Sequence, residues 1–309
     1  MMFSSQFQVL ALATLALSQT MVSAANCDCW KNKEDGLLFT NYQSLDFSAL
    51  CKYAVPAPGL ITDAKSNQKA GVTSSYFNSA AWTNFFSLQT WNQSPSPPDS
   101  TITRINSQSN AYIQNNTDGT TFLTLRTYRT SKFQSTVEAQ SPLDQYAAAS
   151  IRYRARIHGD KGACAGAFTY KADDSGAEHE SDLEILTSDP TNLVHYTTHP
   201  EEENHDFDGT GTIAAPDSAR WTNWQDHRLD WTQPKTTWYL NGKKNGQLTH
   251  EYPQLPSYLI FNTWSEGNPE WEGTMPVGGS AYFDIQSIQV AYNTSTPSTR
   301  ACKNTCTLA

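Results

Sequence analysis

The chain has 309 residues, a net charge of −9 and 38% hydrophobic residues, which is length and apolar content enough for one large domain. Acidity of this size excludes nucleic acid and anionic membranes as principal partners and favours neutral ligands. Its 9 Trp and 14 Tyr suit both a β-rich core and stacking against sugar rings.

Met1 to Ala25 reads as a cleaved secretory leader. An apolar run from Val9 to Leu17, too short to span a bilayer, ends in the small-residue stretch Val22-Ser23-Ala24-Ala25. No later stretch is apolar enough for a membrane helix, and Cys302 to Ala309 lacks the tail of a lipid-anchor signal. The expected product is secreted, extracellular and free of the membrane. Six cysteines follow the leader: Cys27, Cys29, Cys51, Cys164, Cys302 and Cys306. An even count in an oxidising compartment implies disulfides, with 15 pairings open. Because the ends of a domain often lie together, Cys27/Cys29 are expected to pair with Cys302/Cys306, leaving Cys51 for Cys164. Zinc is the competing reading and fits these spacings poorly.

Residues 26–293 read as one β domain, and 294–309 as a tail tied down by its cysteines. Period-two alternation recurs at Phe122-Leu123-Thr124-Leu125, and again where Ile151, Tyr153, Ala155 and Ile157 alternate with Arg152, Arg154 and Arg156. The arginine face is expected to be solvated or paired with carboxylates. Turn signals stand at Gly159-Asp160-Lys161-Gly162 and Asp173-Asp174-Ser175-Gly176, and Asn241-Gly242 predicts a tight hairpin after Thr236–Leu240. No run supports a three-turn helix, so the fold class is all-β: a sandwich, barrel or jelly roll. His199 to Ala215, polar and acidic, reads as a long loop able to wall a cleft, and its carboxylates offer a weak calcium option. Sequons at Asn92, Asn115 and Asn293 fit glycosylation on surface loops.

The most informative segment is Glu178-His179-Glu180-Ser181-Asp182-Leu183-Glu184. As a strand it puts Glu178, Glu180, Asp182 and Glu184 on one face, about 6.6 Å apart in steps of two. Such a row works against the fold unless the charge is used. Paired carboxylates do acid/base and nucleophilic work on glycosidic bonds. Glu180 and Glu184, with Cα atoms about 13 Å apart in a regular strand, can lean their long side chains together. Asp182 between them can share a proton with Glu180 and set the field at Glu184. His179-Glu180 is not a zinc-protease motif, because position 183 is Leu and not His.

Glu180-Ser181-Asp182-Leu183-Glu184 resembles the Glu-x-Asp-x-Glu signature of family 16 glycoside hydrolases, the laminarinase and lichenase group. Leu229-Asp230-Trp231, Trp238-Tyr239-Leu240-Asn241-Gly242, Asn262-Thr263-Trp264 and Trp271-Glu272-Gly273 are similar to its later landmarks, in order. The similarity spans Asn26 to Tyr292 and looks closest to a secreted fungal branch. It implies a concanavalin-like β-jelly-roll sandwich of two antiparallel sheets. It also implies Glu180 as nucleophile, Asp182 as its assistant and Glu184 as acid/base. Ser181 departs from the large apolar residue that family members often carry there, and Glu178 is an extra acidic neighbour.

Trp264 and Trp271 are candidate stacking platforms, and His195, Tyr196 and Asn262 candidate hydroxyl contacts, each with a competing role as ordinary core. The function expected is retaining endo-hydrolysis of β-1,3- or mixed β-1,3/1,4-glucan by a monomer without metal or other cofactor. Transglycosylation is the close alternative. A non-catalytic lectin on the same fold is the rival, and it has no use for both Glu180 and Glu184.

Overall fold

The computed structural model describes residues 27–98, 100–199, 210–249, 252–296 and 298–308. Two curved antiparallel sheets face each other. At the centre of the convex sheet the strands Ala148–Gly159 and Ser280–Asn293 pair along their length, with one bulge at Arg154/Ala155. Gln225–Trp231, Thr236–Leu240 and Lys243–Leu248 extend this sheet on one side. Asn41–Asp46, Thr121–Arg129 and Ala111–Asn115 extend it on the other. The concave sheet runs Thr210–Ala214, Leu193–His199, Glu178–Leu186, Cys164–Ala172, Tyr258–Trp264, Gln134–Gln140, Ser87–Leu88. Gln134–Gln140 also pairs with Thr121–Arg129 through Tyr128↔Ser135, so the sheets merge at that edge. This is the jelly-roll sandwich expected from the sequence.

Strand alternation decides what each face does. Odd-numbered residues of the acidic strand point between the sheets, where Leu183 and Ile185 are 1% exposed and each contributes about 1.5–3 kcal/mol by burial. They meet a core in which Tyr196 stacks on Trp238 at 5.0 Å and Tyr153 packs edge-on to Phe261 at 5.2 Å. Ser181, the departure from the family pattern, is fully buried, and its hydroxyl lies 3.0 Å from that of Thr236 on the opposing sheet. A hydrogen bond thus ties the sheets together behind the carboxylates where an apolar contact was expected.

The arginine face is carboxylate-paired: Arg154 Nη1 donates to both oxygens of Asp226 at 3.1 Å, and Arg156 Nε to Asp284 Oδ2 at 2.9 Å. Asn241 (φ 50°) and Gly242 (φ 76°) form the expected tight hairpin, joining Thr236–Leu240 to Lys243–Leu248. The region read as one loop contains a strand, Thr210–Ala214, paired to Leu193–Thr197. It is short and Gly-interrupted, which hid its period from the sequence. The acidic stretch 201–208 lies outside the described residues, as does the leader.

Disulfides Cys27–Cys306 and Cys29–Cys302 join the two ends, as expected. They brace a small sheet in which Cys29–Lys31 runs parallel to Thr305–Thr307 and antiparallel to Leu38–Phe39. Closing a loop of 279 residues contributes roughly 5 kcal/mol on a chain-entropy model. The Cys51–Cys164 pairing is wrong. Cys51 is exposed on a turn beside Gly119, while Cys164 is buried at the start of a concave-sheet strand. The sequons differ too: Asn92 and Asn115 are exposed, but the Asn293 amide donates to Leu38 O at 2.9 Å and accepts from Thr40 N at 3.0 Å.

Candidate active site

Even-numbered residues of Glu178–Leu186 face the concavity. Register builds rows across the sheet floor. One row is His195, Glu184, Gly166, Asn262, Glu138; the next is Thr197, Asp182, Phe168, Ile260, Gln140; the third is His199, Glu180, Tyr170, Tyr258. The three carboxyls therefore stand in file at the centre of the cleft. Glu178 lies at the exposed end of its strand, 3.4 Å from the Tyr170 hydroxyl.

Burial in the cleft floor disfavours charge on all three central carboxyls. It raises Glu184 to about 7, with hydrogen bonds from Cys164 and Trp271 opposing the rise. Asp182 is pushed well above the usual range, first by burial and then by the Glu180 and Glu184 charges. Glu180 is raised too, to about 8, mainly by burial, with its hydrogen bond to Asp182 working in the opposite sense. The same bond raises Asp182 and lowers Glu180, so within this pair it favours the proton on Asp182. The arrangement is a carboxyl supported by its neighbour, Glu180 with Asp182, beside a second buried carboxyl, Glu184, held by Cys164 and Trp271.

The walls are specific. Cys164 Sγ donates to Glu184 Oε1 at 3.1 Å. Trp271 hydrogen-bonds Glu184 and packs edge-on to His195 at 4.8 Å, and His195 Nε2 lies 2.6 Å from Asp189 Oδ2. Trp271 is placed by the next residue: the fully buried Glu272 accepts at Oε1 from the amides of Glu266 and Gly267 at 2.8 Å and of Asn268 at 3.2 Å. On the other side of Glu184, Asn262 bonds Glu138, which also accepts from Trp91 Nε1 at 3.0 Å. Arg104 lies 4.8 Å over the Trp264 ring and pairs with Glu266 at 3.2 Å. An aromatic and polar strip thus runs from Trp91 to Trp271 across the carboxyls.

Of the residues expected at the site, Glu180, Asp182, Glu184, His195, Asn262, Trp264 and Trp271 come together. Tyr196 does not. It pairs with the core-facing Leu183 and, one step from His195, turns into the core, where its hydroxyl accepts from Asn245 Nδ2 at 2.9 Å. Sequence reading missed Trp91, Arg104, Glu138, Cys164 and Gly166. Glu138 carried a signal: it is a lone carboxylate alternating with Val137 and Ala139 in a strand. Among the described residues, one set of ligand atoms lies within metal-binding reach, those of Glu178, Glu180 and His199 within 4.8 Å of one another. It includes the supported carboxylate itself, so an ion there would compete with any use of Glu180.

Residues 99–279 match the family model described as glycosyl hydrolases family 16. The chain belongs to this family and is an enzyme of the glycoside hydrolase class. All three central carboxyls, Glu138, Asn262, Trp264 and Trp271 fall within the matched segment. Among solved structures, Bacillus licheniformis β-glucanase shares the family 16 fold at a TM-score of 0.54. The likeness covers 68% of this chain and 94% of that one at 17% identity. The laminarinase catalytic domain from Thermotoga maritima gives a TM-score of 0.51 over 67% of this chain and 99% of that one, at 16% identity. Among curated proteins, the Saccharomyces cerevisiae "Congo red hypersensitive protein 1" is 39% identical over 59 residues, 16% of this chain and 12% of that one. A "Crh-like protein" from Arthroderma benhamiae is 29% identical over 106 residues, 30% of this chain and 22% of that one. The chain thus spans less than a quarter of the length of either fungal relative. No helix among the described residues is long and apolar enough to cross a membrane.

Proposed function

We propose that this family 16 enzyme is a secreted, monomeric endo-acting retaining β-glucanase cleaving β-1,3- or mixed β-1,3/1,4-glucan, with residues 1–25 as a cleaved leader and 26–293 as the catalytic domain. Glu180 attacks the anomeric carbon while Glu184 protonates the leaving oxygen; Glu184 then takes a proton from water as water displaces Glu180. Asp182, holding the shared proton, steadies the Glu180 carboxylate before attack. The observation carrying this reading is the file of three carboxyls on the concave floor with the Asp182–Glu180 hydrogen bond. Trp264 and Trp271 flank the file as sugar platforms, with Asn262 and His195 as polar contacts. No step in this scheme calls for a metal or an organic cofactor.

The alternative fate of the glycosyl-enzyme is transfer to a second sugar. It is supported by Trp271, which stands beside Glu184 and so on the side where the leaving sugar departs and an acceptor would enter. The test is a product profile on laminarin and mixed-linkage glucan with and without oligosaccharide acceptors. Hydrolysis gives new reducing ends throughout, whereas transfer gives longer chains when acceptor is added. Glu180→Gln and Glu184→Gln are each expected to abolish both. Full activity in either variant would overturn the assignment.

A further inference from the structure

We propose that Cys164 is a positioning residue of this enzyme, its thiol being a hydrogen-bond donor dedicated to the carboxyl of Glu184. The proposal rests on the reading of Glu184 as acid/base. Cys164 opens the strand Cys164–Ala172 on the same face as Gly166, and its Sγ lies 3.1 Å from Glu184 Oε1. A buried unpaired cysteine is ordinarily a small hydrophobe filling a core. Here the apolar role belongs to its neighbours Ala165 and Ala167, which alternate into the core between the sheets. Cys164 is instead buried on the polar face, against the reacting carboxyl. Burial and the Glu184 charge hold its thiol well above the ordinary range, so it remains a donor wherever the carboxyls titrate.

The donor matters most when charge appears on Glu184. In the first step the bond from C1 to the leaving oxygen breaks and the bond from C1 to a Glu180 oxygen forms. The Glu184 proton passes to the leaving oxygen, and the electron pair left behind makes Glu184 a carboxylate. An S–H already aimed at Oε1 stabilises that charge as it develops, without reorganisation. In the second step the oxygen of water or of a sugar hydroxyl bonds to C1 as the C1–Glu180 bond breaks, Glu180 leaves as carboxylate, and Glu184 takes the proton from the attacking oxygen. The thiol keeps its own proton throughout and fixes the orientation of the carboxyl that receives one.

The test is the pH profile of kcat/KM for wild type, Cys164→Ala, Cys164→Val and Cys164→Ser, on a β-glucan oligosaccharide and on its dinitrophenyl glycoside, whose leaving group needs no protonation. Loss of the donor is expected to move the alkaline limb up by about half to one pH unit in Ala and Val, because the hydrogen bond favours the charged form. The same variants are expected to lose several-fold in rate on the oligosaccharide and little on the dinitrophenyl glycoside. Ser, which restores a donor, is expected to return both limb and rate towards wild type. An unmoved alkaline limb in Ala and Val, equal losses on both substrates, or a Ser variant no better than Val would overturn the positioning role. Glu184→Gln separates the two claims: wild-type turnover of the oligosaccharide by that variant would overturn the acid/base reading itself, and with it this proposal.

Discussion

Gly166 lies directly between Glu184 and Asn262 in the concave-sheet register, and a Cβ built on it would come within 2.9 Å of Asn262 Oδ1. The glycine serves close approach, not backbone freedom, since its conformation is that of an ordinary strand. Gly166→Ala should displace Asn262 and disturb the floor beside the acid. We expect kcat/KM to fall on the order of ten- to a hundredfold while the melting temperature moves little. Steady-state kinetics with calorimetry checks this; unchanged kinetics would show that Asn262 yields freely.

The raised Glu184 makes stability depend on pH in a defined direction. Its folded value of about 7 exceeds its ordinary 4.5, so the folded state holds the proton more tightly than the unfolded one. That contribution is complete below about 4.5 and is lost as pH rises through 7. Glu184→Gln, which never ionises, should therefore gain melting temperature relative to wild type on going from pH 4.5 to pH 8. A constant difference across that range would contradict the raised value.

His227 works from the other side. It is 2% exposed, stacked on Tyr153 at 4.9 Å, with neither ring nitrogen partnered among the described residues, and burial depresses it to about 3. Its neutral state contributes stability above its ordinary 6.5 that is lost as pH falls towards 3. His227→Phe keeps the stack and removes the titration. The variant should resist acid unfolding between pH 6 and 3 better than wild type, measured by circular dichroism.

Glu272 holds the loop that brings Trp271 to Glu184. Glu272→Ala leaves the amides of Glu266, Gly267 and Asn268 without their acceptor, and a loss of about 2–4 kcal/mol is expected. Glu272→Gln keeps an acceptor oxygen and should cost about 1 kcal/mol or less. Urea unfolding distinguishes them, and Trp271 fluorescence should respond in the Ala variant alone.

What the sequence disclosed follows from where its periodicity was clean. The acidic strand alternates without interruption, so the face shared by Glu180, Asp182 and Glu184 was readable, as were the arginine face and the Asn241-Gly242 hairpin. Tyr196 was misplaced because it sits beside His195 in sequence, yet one step in a strand reverses the face. Thr210–Ala214 was missed because its pairing partner, not its own short pattern, makes it a strand. Trp91, Arg104 and Glu138 reach the cleft from three separated segments, and only the folded register brings them together. Cys164 was assigned by counting cysteines, and parity says nothing of a thiol facing a carboxyl.

A covalent glycosyl-enzyme on Glu180 is what separates this mechanism from an inverting one, and it can be trapped. A 2-deoxy-2-fluoro β-gluco-oligosaccharide bearing a dinitrophenyl leaving group should form the intermediate faster than the enzyme can turn it over. Intact mass should rise by one glycosyl unit of the probe, and peptide mapping should place it on Glu180, with no adduct in Glu180→Gln. An adduct on Glu184, or none at all while the product emerges with inverted anomeric configuration by NMR, would rule out Glu180 as the nucleophile.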